Sequence, residues 1–145
     1  RSPTALPQEL LIQQVLFIIS NLLLLVFVCV NRHLPGVVIV GIGVCLNFLA
    51  IITNKGFMPI SPDTLVRINP GSTLTQWIEG YHYGFSKDII LEKSNTNLWA
   101  LSDILVLPPP YPRPTAFSLG DLVIIAGIVI LLMDIRPKIR VSKTA

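Results

Sequence analysis

From Leu10 to Val30 the chain runs for 21 residues without a charged side chain (LLIQQVLFIISNLLLLVFVCV). No other feature restricts the fold as sharply, because a helix at ~1.5 Å per residue needs about 20 such residues to cross a ~30 Å hydrocarbon core. A basic tight turn, NRHLPG, ends the run, and Pro35 and Gly36 open a second apolar helix over 36–53, near the lower limit for spanning. A third begins at Ser118, where S-x-x-D spacing makes Asp121 a capping-box partner, and continues to Ile135. Only 13% of residues are charged and 52% are hydrophobic, against about a quarter charged in an average soluble domain.

The expected fold is therefore an all-α membrane protein with three transmembrane helices at about 10–30, 36–53 and 118–135. Residues 1–53 form a polar approach (1–9) and a transmembrane hairpin, 54–117 an external loop of 64 residues, and 118–145 the third helix and a basic tail. In the loop, Ser61 with Pro62 predicts the start of a short helix. LTQWIEGYHYG reads as a surface helix or aromatic cluster, KDIILEK as an extended run, and PPPYPRP as a polyproline II spacer. LWALSDILVL, apolar but broken by Asp103, is too short to span and reads as a re-entrant or interface-lying segment. Trp77, Tyr81, Tyr83 and Trp99 lead a set of loop aromatics suited to the headgroup layer.

Charge sets the expected orientation. The tail from Asp134 to Ala145 carries Arg136, Lys138, Arg140 and Lys143, which places it in the cytoplasm with the 54–117 loop outside. With no folded basic domain, that tail argues against nucleic acid as a partner. Arg1 rather than Met starts the chain, so a further segment is expected upstream, and no cleavable signal is recognisable in what remains.

Helix packing supplies the first candidate residues. Gln13, Gln14, Ser20 and Asn21 form two pairs spaced by seven, which predicts a protein-facing stripe on the first helix. On the second, Gly36, Gly43, Asn47, Ala50 and Asn54 follow at seven, four, three and four, a small-residue face suited to close docking. Asn21 and Asn47 both lie ~18–20 Å from the turn. A hydrogen bond across the hairpin is the structural expectation, and a solute or quinone site the alternative. Cys29 and Cys45 sit at different depths, too far apart to bridge, and are expected as free core thiols.

Asp103 and Asp121 are the carboxylates set within apolar segments. Acids so placed suggest ion or proton work, with helix capping or interface anchoring as the structural expectation. His33 and His82 both lie outside mid-helix, so no axial histidine for a haem or chlorophyll is available. No metal-ligand spacing, nucleophile elbow, phosphate loop or dinucleotide fingerprint occurs, and GIG at 41–43 lies within a membrane helix.

These motifs together, NRHLPG, LNFLAIITNKGFMPISP, LSDILVLP and FSLGDLVIIAGI, resemble a family of small bacterial membrane proteins classed as a domain of unknown function. The resemblance rests on Asn31, Arg32, Pro35, Gly36, Asn47, Asn54, Gly56, Met58, Pro59, Asp103, Gly120 and Asp121 and covers roughly residues 18–135. Lys55 departs from it, since glycine is commoner there. Members usually carry further helices upstream. With no activity assigned to the family, the resemblance implies fold and topology.

The function expected from the sequence is a non-catalytic accessory subunit that packs on and stabilises a larger membrane complex, of a photosynthetic or respiratory electron-transport kind. The alternative is an oligomeric small-solute or ion transporter or channel. No enzyme activity and no cofactor of its own are expected, and lipid, quinone or pigment contact would come through partners in the bilayer.

Overall fold

The computed structural model describes residues 7–83, 87–107 and 114–135. The expected polyproline spacer (108–113), the basic tail (136–145) and residues 1–6 lie outside the described residues. Among those described are four α-helices: α1 (Pro7–Val30), α2 (Pro35–Thr53), α3 (Pro62–Ile68) and α4 (Leu119–Ile135). Two of these, α1 and α2, are long and apolar enough to cross a membrane.

Helix α1 starts three residues earlier than expected. Pro7 suits a first helical position because it has no N–H to leave unsatisfied, and Glu9 places negative charge in the first turn. Asn31 then closes the helix, donating its backbone N–H to Phe27 O at 3.1 Å, and Pro35 opens α2. The tight turn makes α1 and α2 an antiparallel hairpin in which Gly41 lies against Val28 and Gly56 against Gln14.

The closer partnership is between α2 and α4, and glycine makes it. A Cβ at Gly36 would stand 2.7 Å from Gly127 O and Leu131 N, and one at Gly43 2.5 Å from Gly120 O. On α4, a Cβ at Gly127 would meet Val40 N at 2.6 Å. Each helix thus offers two glycines seven apart, meeting in antiparallel order, so the backbones themselves come into contact. Such proximity is how apolar helices gain dispersion energy when no hydrophobic drive separates them from their surroundings.

The described residues of 54–117 form a cap over the α2 C-terminus, and its core adds short strands to the expected all-α fold. Strand β1 (Met58–Ile60) pairs in parallel with β2 (Asp88–Ile90), in register Met58↔Asp88. A further bridge joins Ile60 to Asp103. β3 (Leu105–Val106) pairs antiparallel with β4 (Ala116–Phe117), which leads into α4. Helix α3 begins as its sequence reads, with Ser61 Oγ accepting from Thr64 N at 3.1 Å. Ile60, Leu65 and Ile90 form the cap's own core, and Met58 joins Ala50 and Ile51 to seat it on α2.

Two further loop segments take shape in the structure. Of the two readings of LTQWIEGYHYG, its described residues follow the aromatic one, with Trp77 edge-on to Tyr83, while helix is confined to the 3-10 turn Leu74–Gln76 and Gly80 at φ +84 turns the backbone away. LWALSDILVL forms no continuous helix. It opens with a 3-10 turn, Trp99–Leu101, entered through left-handed Leu98, and then extends. Asp103 gives its backbone N–H to Pro59 O at 3.1 Å, so pairing with the cap outcompetes continuation of the turn.

Candidate functional site

Two polar groupings meet where the cap joins α2 and α4. The first is built around Asn47, whose burial among apolar helices requires partners. Asn47 Nδ2 donates to Asp121 Oδ1 at 2.8 Å, and its Oδ1 accepts from Ser118 Oγ at 2.7 Å. Asp121 Oδ2 in turn accepts from Ser118 N at 2.9 Å, while Ser118 Oγ accepts from Asp121 N at 3.1 Å. The capping box at the start of α4 is therefore closed onto a side chain of α2. Gly120 is required beside it, since a Cβ there would collide with the Asn47 amide.

The second grouping centres on Asp103, which is 3% exposed. Lys87 Nζ stands 3.5 Å from its Oδ2. Asp103 Oδ1 is buried without a hydrogen-bond partner among the described residues. Burial pushes the Asp103 carboxyl up; Lys87 opposes this, Asp88 and Asp121 add to it, and the outcome is about 7. Burial pulls the Lys87 ammonium down, but Asp103, Asp88 and Asp121 outweigh it and hold the amine above its ordinary value. His82, edge-on to Phe57 with ring centroids 4.3 Å apart, is lowered by burial, against the opposing influence of Asp88.

A third polar joint ties the cap to α2. Asn54 Nδ2 donates to Ala50 O at 2.7 Å and to Asn97 O at 2.9 Å. Asn97 returns two bonds, from its backbone N–H to Asn54 Oδ1 at 2.9 Å and from Nδ2 to Thr53 O at 2.8 Å. Lys55 and Gly56 come next with φ +58 and +80, and Lys55 O accepts from Gln14 Nε2 of α1. Among the described residues, no three His, Cys, Asp or Glu side chains gather as a metal ion would need.

A profile described as a family of unknown function, DUF5317, matches residues 7–133. The chain belongs to the DUF5317 family. An uncharacterized protein of Thermotoga maritima is 26% identical over 126 residues, which are 87% of this chain and 67% of that protein. No solved structure matches.

In this DUF5317 chain the residues carrying the family resemblance fall at joints. Asn31 closes α1, Pro35 opens α2, and Gly36, Asn47, Gly120 and Asp121 join α2 to α4. Asn54, Gly56, Met58 and Pro59 fasten the cap. The departure at Lys55 falls at a left-handed residue, where glycine costs no Cβ clash.

The packing residues are placed differently from their expected use. Gly36, Gly43 and Asn47 face α4 of the same chain rather than an open docking surface, and Ala50 faces the cap. Asn21 makes no bond across the hairpin. It and Ser20 both donate to Phe17 O at 2.8 Å, one turn back on their own helix, because Asn47 is already engaged by Ser118 and Asp121. The stripe on α1 splits: Gln14 and Asn21 turn partly inward, while Gln13 and Ser20 are exposed. Cys29 and Cys45 are free but exposed, not in a core.

Of the acids, Asp121 caps α4, whereas Asp103 caps no helix and is buried in the cap. Trp77 and Tyr83 meet edge-on at 5.6 Å and pack against the cap core rather than lying free at an interface. Trp99 lies under Lys93 Nζ at 3.7 Å, and Tyr81 is exposed. Sequence reasoning overlooked Lys87 as the partner of Asp103. The one available signal was the acid itself, since a carboxylate in an apolar run calls for a cation nearby.

Proposed function

We propose that this DUF5317 chain is a multi-pass membrane protein that serves as a non-catalytic accessory subunit, docking on a larger membrane complex through α1. In this reading α4, held to α2 by glycine contacts, is the third span and the cap lies on one side of the bilayer. The observation that supports it most is the exposed Gln13–Ser20 line. An amide and a hydroxyl seven residues apart face away from the chain's own helices, flanked by exposed Leu16, Leu23 and Phe27. The Ser20 hydroxyl already donates to Phe17 O on its own helix, but an amide such as Gln13 facing lipid is costly, and a partner helix offering small or hydroxyl residues satisfies it. The docking surface is thus moved from the α2 face, which α4 occupies, to α1. No residue of the fold favours a photosynthetic or respiratory complex over another.

Solubilisation in mild detergent tests the proposal: the chain should copurify with a large assembly. Substituting Gln13→Leu and Ser20→Leu together should release it while leaving it folded. The second reading, an oligomeric ion or solute transporter, draws on buried Asp103 with its pull toward neutrality. It requires Asp103→Asn to abolish flux in proteoliposomes.

A further inference from the structure

We propose that Asp103 is a proton-binding site that sets how firmly the cap is seated at the start of α4, seated when the carboxyl is protonated and loosened when it is ionised. This holds whether the chain docks on a complex or carries a solute.

The placement of Asp103 makes it a joint. Its backbone N–H bonds Pro59 O on one flank of β1, and two residues later the chain enters β3, whose partner β4 runs into Ser118 and α4. Lys87 stands on the opposite flank of β1, its carbonyl accepting from Met58 N at 3.1 Å. The two segments that pair with β1 thus lie on opposite flanks of it, with Lys87 Nζ reaching across to Asp103.

Charged groups face that joint from two sides. Lys87 and Asp88 face Asp103 from the β2 side and Asp121 faces it from α4. Among the described residues, β1 (Met58, Pro59, Ile60) and the turn Trp99–Leu101 with Ser102 add no titratable group, and His82 stands beyond Asp88. The Lys87 side chain is 41% exposed against 4% for Asp103, so water screens the one favourable charge while the acid stays dry. With Oδ1 also lacking a donor among the described residues, ionisation favours any arrangement in which Asp103 reaches water. Because the carboxyl titrates near 7 when seated and near its ordinary value when solvated, each pH unit between the two shifts the seated-to-open ratio about tenfold.

Amide hydrogen exchange on the full chain in detergent, corrected for intrinsic rates, tests this from about pH 5 to about pH 8. Protection at Met58, Asp103 and Ile104 should fall about tenfold per pH unit and level off near neutrality. Asp103→Asn should remove that dependence. Lys87→Gln, at a half-exposed side chain, should move the levelling to higher pH, since no cation then favours the carboxylate. It is the informative variant if Asp103→Asn does not fold. Protection that ignores pH in the wild type, an unchanged dependence in Asp103→Asn, or a shift to lower pH in Lys87→Gln would each overturn the proposal.

Discussion

Asn47, in the fourth turn of α2, donates from Nδ2 to Asp121 Oδ1, in the first turn of α4, at 2.8 Å across 74 residues of sequence. Its other amide atom accepts from buried Ser118, so one side chain completes the capping of a remote helix. Asn47→Ala should strand both partners in an apolar setting and cost about 1–3 kcal/mol. A lowered thermal midpoint in detergent checks this, and an unchanged midpoint would show that the capping box stands without α2.

The paired glycines make a second prediction. Gly43→Val should force α2 and α4 apart, because even a Cβ there would come within 2.5 Å of Gly120 O. The overpacking cost is typically about 1–3 kcal/mol. The same change at exposed Gly71, with open space around its Cβ position but φ +96, should leave helix pairing intact. Cross-linking between cysteines introduced on α2 and α4 separates the two outcomes.

Lys55 offers a stabilising change. Its φ of +58 is a left-handed conformation, which costs a residue with a Cβ roughly 1–2 kcal/mol. Lys55→Gly should recover about half of this after the backbone entropy of glycine is counted. Gly56→Ala should do the reverse, since Gln14 of α1 fills the space and φ is +80. Equal thermal midpoints for Lys55→Gly and the wild type would contradict the strain assigned to this exit from α2.

pH acts on stability with opposing signs. The Asp103 carboxyl is raised to about 7 on folding, so its contribution is full below its unfolded value and is lost as pH rises toward neutrality. His82 is lowered on folding, so its contribution is present above its unfolded value and is lost as pH falls through its depressed one. Asp103→Asn should leave the His82 trend alone, with stability rising toward neutral pH. Denaturant midpoints measured across the acid-to-neutral range check the sign. A wild-type profile that rises steadily with pH would contradict the Asp103 assignment.

Legibility in the sequence depends on the range over which each feature is decided. Apolar runs, the Pro35 start of α2, the Ser61 cap of α3 and the Ser118–Asp121 box are local signals, each decided within a turn of helix. Gly36 and Gly43 on α2 are likewise plain as a stripe, but nothing local says that Gly120 and Gly127 meet them. In the cap, the extended run KDIILEK and the start of α3 are legible, but the pairing of strands two or three residues long across the loop is not. Lys87 and Asp103 lie 16 positions apart on opposite flanks of β1, and only the tertiary fold brings them together.

The central claim, that α1 is a docking helix, is tested most directly by the native mass of the assembly solubilised from membranes in mild detergent. A docking role for α1 predicts a particle far larger than the 16.0 kDa chain with its detergent, reduced to the small species by the double change Gln13→Leu and Ser20→Leu. A wild-type protein that migrates as a monodisperse single chain would contradict it.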